Sequence, residues 1–276
     1  MPAIIPAMNT TWFWFDKKNR RALHGTPLDV MRKFELLSSL CHEMNGIEIF
    51  LFPKNIESPV PFTNSFYRKF SKLNYKSVHI GDPNSGFLYN TPAIAEKLRI
   101  LATILDRLET EILVLHAHHF AIQRSRIRDL LSTVLPNVTV CIENNGFDNE
   151  WGGSIEGLTE ILLDCPNFKF CLDVAHVKYF ADKYRMREFC SNELLFSRIH
   201  EIHYSYSTYH CQTDPYTSRG FPGYGPYHAL FSVLGKSPSA ETKEFIKKYP
   251  VIIEGILPKE DTSFNFLKQE AEILKQ

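Results

Sequence analysis

Short runs of β-branched or aromatic residues alternate with longer amphipathic stretches along almost the whole chain. The run Gly46–Leu51 is followed by a helical pattern at Ser65–Leu73, and the run Lys76–Ile80 is followed by the stretch Pro92–Leu108. In this last stretch the apolar residues recur at spacings of three and four, as one face of a helix requires. Strands that alternate with helices in this way predict a parallel sheet with right-handed crossovers.

The number of these units indicates a closed barrel. If Met8–Phe15 is counted as the first strand, the chain contains eight strand–helix units without an evident linker. Its 276 residues are close to the about 250 that a (β/α)8 barrel typically needs. We therefore predict one α/β barrel domain over residues 1–276. An open doubly wound sheet is the alternative, although no Gly-x-Gly-x-x-Gly follows the first strand to favour a dinucleotide-binding form of it.

The bulk composition narrows the classes of partner. Lysine and arginine balance aspartate and glutamate at 31 each, which disfavours nucleic acid and anionic membranes without closing off a local basic groove. The six cysteines form no Cys-x-x-Cys pair, so we expect reduced and mostly buried thiols. The start of the chain lacks a basic leader, and no run approaches the roughly 18 apolar residues of a membrane span. We expect a cytoplasmic protein without a membrane partner.

One imidazole or carboxylate stands at the end of each of six predicted strands. Up to the fifth of these residues the spacing is roughly 30 residues, the length of one βαβ unit, and the longer last interval leaves room for a loop. The carboxyl ends of barrel strands form the rim that carries the active site. We therefore expect the six side chains to converge at one mouth: His79, His116, Glu143, Asp173, His203 and Glu254.

This set of side chains favours a divalent metal site. A single histidine or acid at a strand end is more often a hydrogen-bonded structural residue or a helix cap. Three carboxylates beside apolar runs are costly to bury, however, unless a cation neutralises them. Mixed imidazole and carboxylate ligands suit Zn²⁺, Mn²⁺, Fe²⁺ or Co²⁺ better than Mg²⁺ or Ca²⁺ alone. We predict such a divalent metal as the cofactor.

The same strand ends resemble those of the xylose isomerase-like TIM-barrel superfamily, which contains sugar isomerases and epimerases and the AP endonucleases. Taken in order, the matching motifs are typical of the superfamily but of no single activity. The motif Gly223–Gly225 stands where members often have Gly-Glu-Gly. The motifs are Gly46–Phe50, Ile142–Asn144, Leu172–His176, His203, Ile253–Gly255 and Gly223–Gly225.

The resemblance implies a central metal held by Glu143, Asp173, His203 and Glu254. In the sugar-converting members, Glu143 and Glu254 also act as the acid–base pair, while the metal polarises the neighbouring oxygens of the substrate. In those members His176, three residues after Asp173, contacts the substrate.

In the endonuclease members the resemblance implies more. His79 and His116 hold an additional metal there, together with Glu143, which bridges two ions and activates a water for phosphodiester cleavage.

The chain departs from the endonuclease pattern at two places. The aspartate expected three residues after the seventh-strand histidine is Tyr206, and the Asp-x-His expected before the glycine pair is Thr217-Ser-Arg219. His176 therefore lacks its partners for a third metal unless His210 or Asp214 replaces them. A trinuclear site is in doubt, whereas a two-metal site and a one-metal site with two substrate-facing imidazoles both stay open.

Several other residues have two interpretations. Glu48, inside the second strand, contacts substrate or pairs with a lysine within the barrel. Asn144 orients the loop after the fifth strand or binds a substrate hydroxyl. Arg219 clamps a phosphate or is an ordinary solvated arginine. In His-Ala-His-His, His118 is an alternative metal ligand, and we expect His119 to be solvated.

These observations predict a metal-dependent isomerase or epimerase that acts on a small carbohydrate or polyol. The balanced charge, the complete four-ligand set and the missing third-metal partners favour it. The alternative is an AP-endonuclease-like two-metal phosphodiester hydrolase, which His79 and His116 favour, so nucleic acid stays open as a less favoured partner. A metal-dependent oxidase or lyase that uses the same ligands also stays open, because a fold does not fix a function.

Overall fold

The central sheet of the computed structural model consists of eight parallel strands. The structure describes residues 4–6, 15–16, 21–22, 27–52, 56, 62–81, 93–121, 123–145, 152–179, 186–206, 228–257 and 261–276. The strands are β1 (Ile4–Pro6), β2 (Gly46–Leu51), β3 (Tyr75–Ile80), β4 (Ile112–His116), β5 (Thr139–Glu143), β6 (Lys169–Asp173), β7 (Ile199–Tyr204) and β8 (Val251–Ile253).

The strand order closes this sheet almost completely. Hydrogen-bonded neighbours follow the order β1-β8-β7-β6-β5-β4-β3-β2, and every pair is parallel. The two strands at the ends of this order, β1 and β2, also contact each other. The predicted (β/α)8 barrel is therefore confirmed, and the open sheet is excluded.

Helices follow the strands on the outside of the barrel. Several begin at a Thr, Ser or Asn whose side chain accepts a hydrogen bond from a backbone N–H three residues further on, which satisfies one donor of the first turn. A 3₁₀ turn, Ala117–Phe120, follows β4. The helices are α1 (Pro27–Met44), α2 (Asn64–Phe70), α3 (Ile94–Leu108), α4 (Arg124–Val134), α5 (Ile155–Asp164), α6 (Val174–Tyr179), α7 (Met186–Ser191), α8 (Glu193–Arg198), α9 (Phe231–Leu234), α10 (Ala240–Ile246) and α11 (Asn265–Lys275).

Helix α3 shows how the apolar periodicity builds the outer layer. The residues at spacings of three and four are the ones that it buries against the sheet, and each such side chain contributes roughly 1.5–3 kcal/mol. Pro92, the first residue of the predicted stretch, lies outside the described residues. The buried residues of α3 are Ile94, Leu98, Leu101, Ile104, Leu105 and Leu108.

The first barrel strand is not the one that we predicted. Ile4 and Ile5 pair with β8, whereas Phe15–Asp16 pairs antiparallel with Arg21–Ala22 in a separate sheet; the intervening residues 7–14 lie outside the described part. Ile5 is fully buried. Pro6 ends the strand, where a missing N–H costs little, so the flanking prolines did not prevent strand formation.

In the described part of the chain, three short helices follow β6. Helix α6 begins directly after Asp173, α7 spans Met186–Ser191, and α8 spans Glu193–Arg198. Residues 180–185 lie outside the described part. The early start of α6 places His176 within its first turn and therefore beside the end of β6. Across the described residues, every helix is too short or too polar to cross a membrane.

Candidate metal centre

The six strand-end residues meet at one mouth of the barrel, as the spacing predicted. The side chains of His79, Glu143, Asp173, His203 and Glu254 are buried. His116 is the most accessible of the set, with 12% of its side chain exposed. The site thus has a buried floor and a partly open edge.

Glu143 lies at the centre of this group. Its Oε2 atom is 2.9 Å from Nε2 of His79 and 3.3 Å from Nε2 of His116. Its Oε1 atom is 3.4 Å from Nδ1 of His203. The two oxygens of one carboxylate therefore face imidazoles on opposite sides, a geometry suited to bridging two positions.

Among the groups of ligand atoms that are compact enough for a cation, two consist of the predicted strand-end residues alone. In each set the atoms lie within 4.8 Å of one another, a separation that fits metal–ligand bonds of about 2.0–2.2 Å around one ion. The first set includes His79 and His116, and the second includes the carboxylates of β6 and β8. The sets are His79, His116 and Glu143, and Glu143, Asp173, His203 and Glu254.

The donor atoms themselves support a metal. Both carboxylate oxygens of Glu143, Oδ2 of Asp173, Nδ1 of His203 and both ring nitrogens of His79 are buried. In the described part of the chain they have imidazole–carboxylate contacts but no hydrogen bond of regular geometry. Leaving one buried polar group unsatisfied costs about 1–3 kcal/mol. A divalent cation would satisfy several of these atoms together, so the residues present fit the predicted cofactor.

Hydrogen bonds to the backbone fix Asp173 at the mouth. Its Oδ1 atom accepts from the N–H of Ala175 at 2.7 Å and of His176 at 3.1 Å, at the start of α6. The side chain of Asn144 donates to the carbonyl of Asp173 at 3.0 Å and accepts from its N–H at 2.8 Å. Asn144 therefore aligns the ends of β5 and β6, while Oδ2 of Asp173 faces the site.

His176 contacts a histidine that the sequence analysis missed. Nδ1 of His176 is 2.7 Å from the carbonyl oxygen of Asn144, which accepts a hydrogen bond and so favours the Nδ1–H tautomer. Its Nε2 is 3.2 Å from Nε2 of His228, and Nδ1 of His228 is 2.9 Å from Oγ of Ser205. Asp173, His176 and His228 form a further compact group of ligand atoms.

His228 stands shortly after the glycine pair in the sequence, and no periodic pattern marks it as a site residue. The sequence clue was its position between that pair and the next helix. The two loop residues that we considered as partners of His176, His210 and Asp214, lie outside the described residues, as does Arg219.

The histidines after β4 divide differently from the prediction. His116, rather than His118, faces Glu143. His119 is fully buried, so the expectation that it is solvated was wrong. The 3₁₀ turn folds its ring against His118, with ring centroids 4.2 Å apart.

Burial and ion pairing shift the pKa values at this mouth in opposite directions. Burial raises the pKa of Asp173 to about 6, although His176 and His228 act to lower it. Burial acts to lower the pKa of His79, but Glu143 and Glu48 outweigh it and raise this pKa to about 10. Burial lowers the pKa of His228 to about 4, and it lowers that of His116 well below the usual range. The floor thus carries ion pairs, and the edge carries neutral imidazoles.

Comparisons with known proteins agree on the fold. Neither a family model nor a curated protein matches the sequence. Among solved structures, a probable 3-DHS dehydratase of Bacillus anthracis has a TM-score of 0.61 and 15% identity over 99% of this chain and 98% of that chain. Endonuclease IV of Thermus thermophilus has a TM-score of 0.59 and 16% identity over 92% and 96%. The 3-keto-D-glucoside 4-epimerase of E. coli has a TM-score of 0.58 and 10% identity over 100% of both chains.

These neighbours confirm the resemblance at the level of the fold. The chain shares the TIM-barrel fold with these solved structures. Identities this low carry no activity from any of the neighbours to this chain.

Proposed function

We propose that the protein is a divalent-metal-dependent isomerase or epimerase that acts on a small carbohydrate or polyol. The observation that carries this proposal is the compact four-ligand set of Glu143, Asp173, His203 and Glu254. Two of its carboxylates, Glu143 at the end of β5 and Glu254 directly after β8, lie on strands that are not neighbours, because β6 and β7 lie between them. Acids on separate strands can approach one substrate carbon from two sides.

The proposed chemistry is proton removal and return by these two acids. The bound cation would polarise a carbonyl and a hydroxyl oxygen of the substrate and so acidify the intervening C–H bond. Nδ1 of His203 lies 3.4 Å from Glu143 and 3.3 Å from Glu254, so the same ring nitrogen contacts both acids. One acid, as the carboxylate, removes the proton, and the other, as the carboxylic acid, donates its own proton at the opposite face or at the adjacent carbon.

The edge of the site supports a neutral, hydroxyl-rich substrate. His116 and His176 each expose 12% of their side chains, and His228 exposes 21%. The lowered pKa values of His116 and His228 keep these rings neutral near pH 7. A neutral imidazole donates from one nitrogen and accepts at the other, which matches hydroxyl groups better than phosphate.

A two-metal phosphodiester hydrolase is the second candidate, and a specific contact favours it. Glu143 directs Oε2 toward His79 and His116 and directs Oε1 toward His203. A carboxylate that bridges two cations in this way would have neither oxygen available as a general base. Two ions about 3.5–4 Å apart commonly serve phosphoester cleavage.

Two measurements on the same preparation separate these candidates. Elemental analysis of protein purified without added metal gives the number of ions per chain. Incubation with aldoses, ketoses and polyols in D₂O then reports isomerisation and deuterium incorporation at carbon by mass spectrometry and NMR. The first proposal predicts one tightly bound ion and deuterium in at least one substrate.

Variants locate the reaction at the proposed acids. Glu143→Gln and Glu254→Gln should each abolish the deuterium incorporation, while Glu270→Gln, a change of a buried carboxylate that accepts from Phe231 and Ser232 outside the site, should preserve it. Two or more bound ions together with cleavage of abasic-site DNA, and no exchange at any sugar carbon, would replace the first proposal with the second.

A further inference from the structure

We infer that Glu48 is a positioning residue that sets opposite ring tautomers in His79 and His203, so that each presents an unprotonated nitrogen to the metal site. This inference rests on the proposed metal centre. In this arrangement Glu48 contacts the histidine rings on the side away from the metal, rather than the substrate or a lysine.

The contacts of Glu48 place it between the two rings. Its side chain is fully buried inside the barrel. Oε2 lies 3.1 Å from Nε2 of His203 and accepts from Oγ of Ser77 at 3.1 Å. Oε1 lies 3.7 Å from Nδ1 of His79, which is within ion-pair reach but beyond a direct hydrogen bond. One carboxylate therefore faces one nitrogen of each ring.

The other nitrogen of each ring faces the proposed metal ligands. Nδ1 of His203 lies toward Glu143 and Glu254, and Nε2 of His79 lies 2.9 Å from Glu143. An ionised carboxylate only accepts hydrogen bonds, so a neutral ring keeps its hydrogen on the nitrogen that faces Glu48. His203 would then bind the cation of the four-ligand set through Nδ1, and His79 would present Nε2 to the set that it forms with His116 and Glu143. Carboxylates behind metal-bound histidines fix ring orientation and tautomer in this way.

Glu48 could instead be a ligand, because its oxygens also form a compact group with His79, His203 and Glu254. The nitrogen of His203 that contacts Glu48 is Nε2, at 3.1 Å, whereas Glu143 and Glu254 contact Nδ1. The two nitrogens of an imidazole ring point in different directions, so the ring of His203 can bind a cation on one side only. Two carboxylates, those of Glu143 and Glu254, face the Nδ1 side of His203, which favours that side for the cation.

An amide in place of the carboxylate separates the two interpretations. Glutamine can accept from one ring with its oxygen, but its NH₂ group must donate to the other. The ring that receives this hydrogen bond is driven to the tautomer whose hydrogen lies on the metal-facing nitrogen. Glu48→Gln should therefore weaken metal binding by about 10–100-fold, the usual effect of losing such a partner, while all proposed ligands remain.

The experiment compares wild type, Glu48→Gln and Glu270→Gln as zinc-loaded full chains. Chelator competition gives zinc affinity, and ¹⁵N–¹H correlation spectra of the histidine rings give the tautomers. We expect Nε2–H on His203 and Nδ1–H on His79 in wild type. We expect one of these two tautomers to reverse in Glu48→Gln, with the affinity loss given above. Glu270→Gln should match wild type, since it makes the same chemical change at a buried carboxylate away from the rings.

A failure of the proposed function and a failure of this inference give different experimental results. Wild-type protein that binds no divalent cation overturns the proposed function, and this inference falls with it. Wild-type protein that binds zinc but carries Nδ1–H on His203 overturns this inference alone. So does a Glu48→Gln variant with unchanged affinity and tautomers. If Glu48→Gln fails to fold, the wild-type ring spectra still decide between the two arrangements.

Discussion

The two faces of the same barrel strands differ sharply in chemistry. On β5, Val140 and Ile142 point outward into the apolar layer beneath the helices, while Cys141 and Glu143 lie on the inner face. On β6, the outward residues are Phe170 and Leu172, and the inward ones are Cys171 and Asp173. The alternation has a period of two, because successive side chains of a strand point to opposite faces.

The difference shows how the chain separates stability from chemistry. The outer face is continuous and apolar from β2 to β8, so its burial drives folding. The inner face holds buried carboxylates and imidazoles, several of whose atoms lack hydrogen bonds in the described part of the chain. Substitutions on the outer face should alter stability, and substitutions on the inner face should alter the site.

The largest expected effect belongs to Glu143 on the inner face. Glu143→Gln should lower activity by at least about 100-fold, as expected for loss of a catalytic acid–base group, and should lower metal content. The fold should persist, because the amide keeps the volume of the side chain. Turnover and metal content measured beside a circular dichroism spectrum check this, and full metal occupancy with full turnover would contradict the assigned role.

Leu172 and Asp173, neighbours on β6, give the matched comparison. Leu172→Ala should destabilise the protein by about 2–5 kcal/mol, the usual cost of a cavity in a core, while the number of bound ions stays unchanged. Asp173→Asn should instead weaken metal binding with little loss of stability. The amide Oδ1 can still accept from the N–H groups of Ala175 and His176 at the start of α6. Urea unfolding and metal titration of both variants provide the test. Equal effects of the two variants on metal binding would erase the distinction between the faces.

Metal affinity should rise with pH, because a protonated histidine on the inner face of the barrel must lose its proton when a cation binds. Without a cation, burial acts to lower the pKa of His203, but Cys171, Glu48, Glu254 and Glu143 outweigh it and raise this pKa well above its usual range, so this ring is protonated at neutral pH. A cation binds the unprotonated ring, so binding releases a proton. For each proton released, affinity should increase about tenfold per pH unit between pH 6 and 8. Calorimetric titrations in buffers of different ionisation enthalpy measure the protons released, and a pH-independent affinity would exclude this exchange.

The smallest effect concerns the thiols. Cys141 and Cys171 are fully buried on the inner face, and burial raises the pKa of both well above the usual range. Neither should react with iodoacetamide in the native protein, whereas Cys190, which is partly exposed, should react slowly. Peptide mapping after brief labelling checks the order. Native labelling of the inner thiols before Cys190 would show that the barrel interior opens readily.

The sequence predicted the parts of this molecule that depend on periodicity. The limits of β2 and the buried face of α3 are as expected, because both follow from local alternation of apolar residues. The convergence of the strand-end residues followed from one further rule, that parallel strands of a barrel end on the same side.

The sequence could not predict features that depend on tertiary contacts. The strand at Ile4–Pro6 is defined by its pairing with β8 rather than by its own short pattern. His119 is buried because of the 3₁₀ turn that carries it. His228 is placed at the site by its contact with His176 rather than by a position at the end of a predicted strand. The position of Glu48 between two rings likewise required the closed barrel.

A zinc titration of metal-free wild-type protein tests the central claim most directly. If the inner acids and imidazoles share a cation, calorimetry should show at least one tight site per chain, with protons released on binding. The same titration of Glu143→Gln should show that site weakened or lost. The claim would be contradicted if wild-type protein bound zinc, manganese, cobalt and iron(II) no more tightly than Glu143→Gln does.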